Sequence, residues 1–168
     1  IDNNYETIAG ETAPSPGITL KQGLLNINGH DIVVRHIRVR MGDQRGGNMD
    51  AIDIEPYLGS LPYNIVLDHV SASWGTDGVM DIYTYTKPYM YDITVSNCII
   101  AEGLQKSCHD EGGIEEHSTG LLVQSVNGLT LIGNLIINNR ERNPYLAVDD
   151  AQIVNNVVHN AFNVNLQI

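Results

Sequence analysis

The sequence predicts an all-β protein whose strands stack in parallel as a solenoid, and three observations carry that prediction. Helical 3.6-residue periodicity is almost absent, while Ile, Val, Thr, Asn and Gly are plentiful and short runs alternate apolar with polar residues. Five runs recur in one form: DIVVRH (31–36), NIVLDH (64–69), DITVSN (92–97), LTLIGN (129–134) and AQIVNN (151–156). A second set interleaves with them: ITLKQ (18–22), AIDIE (51–55), GVMDI (78–82), GLLVQ (120–124) and YLAVD (145–149). The runs keep one order along the chain, which suits stacking on the equivalent run one coil earlier better than an antiparallel meander.

The first set starts at intervals of 33, 28, 37 and 22 residues, so equivalent turns carry insertions of different length. Each run ends in His or Asn: His36, His69, Asn97, Asn134 and Asn156. Side chains stacked at one tight turn can hydrogen-bond from coil to coil, and Asn tolerates the left-handed conformation such a turn needs. We therefore expect these five to form an inward polar ladder, which accounts for His36 and His69 without catalysis. Successive strand residues face opposite ways, so the column before it, with Arg35, Asp68, Ser96, Gly133 and Asn155, is expected to face outward. Asp68 then costs the core nothing.

A chain of 168 residues is long enough for one domain with a real core, here read as residues 1–168 of a longer polypeptide. The opening IDNNYETIAGE already looks like strand interior. A net charge of −11 argues against nucleic acid or an anionic membrane surface as partner, and no run of about 20 apolar residues is present. Cys98 and Cys108 allow either a disulfide or a free structural thiol at Cys98. The segment KSCHDEGGIEEH (106–117) lacks zinc-ligand spacing and reads as an acidic, solvated insertion. Trp74 can stack on a sugar ring or pack a turn.

IAGETAPSPGITL (8–20), DIVVRHIRVRMGD (31–43), MDAIDI (49–54), NIVLDHVSASWGTDG (64–78), HSTGLLV (117–123) and NNRERNP (138–144) together resemble the pectate lyases of polysaccharide lyase family 1. The resemblance runs in order over nearly the whole chain. It implies a right-handed parallel β-helix with three sheets, here lacking the N-terminal cap and first coils. It also implies a secreted, extracellular or periplasmic enzyme that cleaves polygalacturonate by β-elimination with Ca²⁺ in the site. Carried over by position, Asp50, Asn64 and Asp68 are the expected calcium ligands, with Asp77 contributing. Asn64 stands where many relatives have Asp, and Gly78 where many have a second acid. Arg142 is the expected acceptor of the C5 proton, and Arg140 its helper at the leaving oxygen or simply a surface cation. Lys106 is the expected substrate-binding Lys, two residues beyond the matching position, and Glu102 is as well read as a structural carboxylate. The alternative is a β-helix that has lost turnover and serves as a carbohydrate-binding or structural module. A metal-free eliminase acting on methyl-esterified pectin is a third reading, disfavoured by Asp50 and Asp68. Uncapped solenoid ends are further expected to favour self-association.

Overall fold

The computed structural model describes residues 1–110, 113–163 and 166–168, with the backbone alone at 108–110 and 113–115. As predicted, the chain winds as a right-handed parallel β-helix with three sheets. The first sheet holds Glu6–Ala9, Ile32–Arg35, Tyr63–Asp68, Met90–Ser96, Val126–Ile132 and Ala151–Val154, every neighbour parallel. The second holds Ile18–Lys21, Ile37–Arg40, Ser71–Ser73, Ile99–Ala101, Leu135–Ile137 and Val157–His159. The third holds Leu25–Ile27, Ile52–Ile54, Gly78–Tyr83, Thr119–Gln124 and Tyr145–Ala147. All five DIVVRH-like runs fall in the first sheet. Of the interleaved set, four fall in the third sheet and ITLKQ in the second. No helix among the described residues is long and apolar enough to cross a membrane.

Parallel stacking in register turns each inward position into a row of aliphatic side chains. Ile32, Ile65, Ile93 and Leu129 lie level on successive strands, as do Val34, Leu67, Val95 and Leu131. Ile54, Ile82, Val123 and Leu146 form the matching row in the third sheet. All twelve are buried. Each such side chain contributes roughly 1.5–3 kcal/mol on leaving water. In the insertion at 106–117, Lys106–Asp110 pairs antiparallel with Gly113–Glu116.

The corner between the first and second sheets differs from expectation by one residue. Ser96 is level with Ile132, so Asn97 is level with Gly133 and not with Asn134. The column at the bend is therefore His36, His69, Asn97, Gly133 and Asn155, with φ of 55°, 53°, 52°, 69° and 54°. Left-handed backbone turns these side chains outward, and His36 and His69 are exposed. The inward ladder sits one residue later and is short. Asn134 Oδ1 accepts from Cys98 N at 2.9 Å, and Asn134 Nδ2 donates to Val95 O at 2.8 Å. Asn156 Oδ1 accepts from Asn134 N and Nδ2, both at 2.9 Å. One coil back the position is Cys98, a free and buried thiol whose pKa burial pushes up to about 12. Its sulfur accepts from Val70 N at 3.4 Å, doing the work of the Asn oxygen. The side chain of Cys108 lies outside the described residues.

Replacing Asn134 with Ala would strand the Cys98 N–H and the Val95 carbonyl inside the coil. The expected loss is about 1–3 kcal/mol of unfolding free energy, read from urea denaturation, with Asn97→Ala at the exposed corner costing less.

Candidate active site

The outward face of the third sheet gathers carboxylates. The runs AIDIE and GVMDI pair so that Asp53 is level with Asp81, and Asn26, Leu122 and Tyr145 continue the row. Adjacent strands lie about 4.8 Å apart, so the two carboxylates are held as neighbours by backbone register. Both are nearly buried. Asp50 and Asp77 come from the loops leading into the same two strands, and Asp50 Oδ1 accepts from Gly78 N at 2.5 Å.

Gly78 is where relatives were expected to carry a second acid, and its place in the fold explains the glycine. A Cβ there would lie 2.6 Å from Asp50 Oδ1, 2.6 Å from Asp81 Oδ1 and 2.9 Å from Thr119 Oγ1. A side chain at 78 would have to displace these oxygens.

Four acids this close perturb one another. Burial first, and then the neighbouring Asp50, raise the pKa of Asp53 to about 9. Asp81 is pushed well up by burial and then by Asp50, against the opposing Arg142. Asp50 is raised by burial and then by Asp77. Among the described residues, no donor reaches Asp53 Oδ1 or Asp81 Oδ1, though both atoms are buried. Clustered, desolvated and short of donors, these oxygens suit a hard cation. The nearest positive group is Arg142, whose Nη1 is 3.8 Å from Asp81 Oδ2. His117 Nε2 lies 2.6 Å from Asp77 Oδ1 on the same wall. A cleft of about 520 Å³ opens here, lined among others by Asp50, Asp77, Asp81, Arg142, Tyr83, Tyr85 and Tyr145.

The residues expected at the site are thus divided. Asp50, Asp77 and Arg142 meet in this cleft. Asn64 and Asp68 belong to the first sheet and do not line it. Asn64 occupies a left-handed corner at φ 51°, level with Asp31, and its amide donates to the Asp31 carboxylate. Asp68 accepts from Ser96 Oγ at 2.6 Å and Asn97 Nδ2 at 3.0 Å, and meets His69 Nδ1 at 2.8 Å. Burial alone would raise the Asp68 pKa, but these hydrogen bonds overturn that and bring it to about 2. Arg140 faces away from the carboxylates, into a separate hollow beside Trp74, and Nη1 donates to Glu116 O at 2.8 Å. Lys106 is exposed and pairs with Glu116 at 3.4 Å. Trp74 is exposed on the wall of that hollow and donates Nε1 to Glu102 Oε2 at 3.1 Å.

Asp53, Asp81 and His117 had no role assigned from the sequence. The signal for the first two was present: Asp-Ile at the same place in AIDIE and GVMDI, read as an outward position on stacked strands. For His117 no local signal exists, because its partner Asp77 lies 40 residues away.

With a chelator present, the carboxylate cluster should make folding pH-dependent in a defined direction. Asp53 keeps its proton up to about pH 9 in the fold but ionises near pH 4 when unfolded, so the folded state binds more protons between these limits. The stabilisation is complete below about pH 4 and fades as pH rises towards 9. Melting temperature in chelator should fall from about pH 5 to pH 8, and Asp53→Asn should flatten that slope.

No family model matches the chain. Curated relatives do. The chain is 41% identical over 156 residues to the probable pectate lyase C of Aspergillus terreus, an alignment covering 92% of the chain and 32% of the relative. It is 41% identical over 155 residues to that of Emericella nidulans, and 37% identical over 155 residues to that of Aspergillus flavus. The chain therefore spans about a third of the length of the curated relatives it matches. Over nearly all of its own length, this chain is similar to the pectate lyases, as its motifs predict.

Proposed function

We propose that the chain carries the catalytic face of a pectate lyase and acts on a secreted enzyme's substrate, an acidic uronan such as polygalacturonate, by β-elimination. The observation that carries this reading is one guanidinium, Arg142, set in an open cleft against Asp50, Asp77 and Asp81, with the buried Asp53 level with Asp81.

β-Elimination takes the proton from C5 of a uronate and expels the oxygen at C4. The C–H beside a carboxylate anion is a very weak acid, so the chemistry needs positive charge near that carboxylate and a base near C5. Asp50, Asp77 and Asp81 would hold a Ca²⁺ ion, with Asp53 behind them; these take the ligand places that motif matching assigned to Asn64 and Asp68. Calcium there would draw charge from the substrate carboxylate and stabilise the enolate-like transition state. Arg142 reaches the cleft from the segment between Leu135–Ile137 and Tyr145–Ala147 and sets its guanidinium beside Asp81, where it would accept the C5 proton. A guanidinium is ordinarily protonated below about pH 12, which makes an alkaline optimum the expected behaviour. Tyr83, Tyr85 and Tyr145 offer ring faces on which neighbouring sugars can stack. Arg140, held by Glu116, would act on a uronate outside the reacting residue.

The test is absorbance of the 4,5-unsaturated product from polygalacturonate. Product is expected with calcium at alkaline pH and none with chelator. Arg142→Lys should lower kcat by roughly 10²–10⁴-fold, because an ammonium cannot reproduce the planar fork. Asp81→Ala should abolish turnover while Asp68→Ala retains it; the reverse result would return the metal to the first sheet. A chain that binds polygalacturonate and never cleaves it would leave the carbohydrate-binding reading.

A further inference from the structure

Away from the cleft, at the bend between the first and second sheets, two successive coils present His36 and His69 one above the other. The rings stack with centroids 4.6 Å apart and planes 23° from parallel. His69 Nδ1 meets Asp68 Oδ2 at 2.8 Å, which orients the ring and leaves Nε2 outward. Asp68 is in turn fixed by Ser96 Oγ at 2.6 Å and Asn97 Nδ2 at 3.0 Å. Ligand atoms of His36, Asp68 and His69 all lie within 4.8 Å of one another, the one such trio among the described residues. Neither imidazole is needed by the core, since both side chains leave the coil at left-handed corners.

We infer that His36 and His69, with Asp68 as the residue that positions His69, form a surface site for a borderline divalent transition metal such as Zn²⁺.

The donor set decides the class of metal. Imidazole nitrogen suits Zn²⁺, Cu²⁺ and Ni²⁺, while calcium takes oxygen ligands, so this site is separate in chemistry and place from the carboxylates of the third sheet. Two zinc–nitrogen bonds of about 2.0–2.1 Å at a tetrahedral angle put the nitrogens about 3.4 Å apart, and exposed rings spaced at 4.6 Å reach that by side-chain rotation. A carboxylate behind a ligating imidazole is the arrangement that fixes its tautomer and raises its basicity. The arginines nearby are engaged elsewhere: Arg35 with Glu11 at 2.6 Å, Arg38 with Thr19 Oγ1 at 3.0 Å, and Arg40 with Ser71 O at 2.7 Å. Arg38 and Arg40 line an open groove of about 400 Å³ with the two imidazoles, leaving room for water or a further ligand on the ion. A metal held here would tie two consecutive coils together.

The probe is Zn²⁺ titrated into the chelator-washed chain, followed by calorimetry and by the ring ¹⁵N–¹H correlations of the histidines. Expected are one-to-one binding, shifts at His36 and His69, a raised melting temperature, and no movement of either ring with Ca²⁺. His36→Asn and His69→Asn keep a residue that tolerates the corner, as Asn97 does one coil on, and each should weaken binding at least about tenfold. Asp68→Asn should weaken it by roughly 10–100-fold while melting of the metal-free chain changes less. No saturable uptake up to about 1 mM, where binding free energy is only about 4 kcal/mol, would overturn the inference. So would uptake unchanged in both His variants, or shifts confined to other imidazoles.

Discussion

Coil-on-coil register is the constraint on which everything else in this molecule depends. A strand in a parallel β-helix has no freedom to choose its neighbour: the residue above and the residue below are fixed by backbone hydrogen bonds along the axis. An aliphatic side chain at an inward position must therefore be matched on the next coil, and Ile32, Ile65, Ile93 and Leu129 show that match three times over. A break in one row would leave an unfilled layer that neighbouring side chains cannot close without leaving register.

The same register that stacks the core stacks the chemistry. Asp53 and Asp81 are 28 residues apart in the chain, yet the ladder that aligns Ile52 with Met80 and Ile54 with Ile82 also sets their carboxylates side by side. Like charges at that spacing in a desolvated position are costly, and the fold tolerates them only with protons or a cation to offset the repulsion. Gly78 serves the arrangement by absence, leaving the gap through which Asp50 and Asp81 approach. At the opposite corner the stacking principle yields something else, imidazole upon imidazole, because left-handed backbone at the bend sends those side chains into solvent.

Two corners show how differently Asn can serve a β-helix. Asn134 and Asn156 face inward and knit three coils through both ends of their amides. Asn64 faces outward, chosen for the left-handed backbone it tolerates and for the amide it gives to Asp31. A pattern of residue types alone does not separate these roles, since each run ends in a polar residue and the bend occupies one position or the next depending on pairing. LTLIGN and AQIVNN each carry one more residue before the final Asn, Gly133 and Asn155, which takes the corner, and alignment from the run's end slips by one there.

The strand set, the parallel solenoid, its aliphatic rows and the likeness to pectate lyases were all written in the sequence, because period-2 alternation and in-order motifs are local properties. The grouping of Asp50, Asp77 and Arg142 was also legible, through motifs that border the third sheet. Tertiary structure alone decided which face each acid joined. Asp68 and Asp81 both sit outward on stacked strands, and only the three-sheet winding puts the first behind the coil with His69 and the second in the cleft with Arg142. Direction around the axis depends on where each turn bends, and that is set by contacts between coils some 22 to 37 residues apart, which no single stretch of sequence contains.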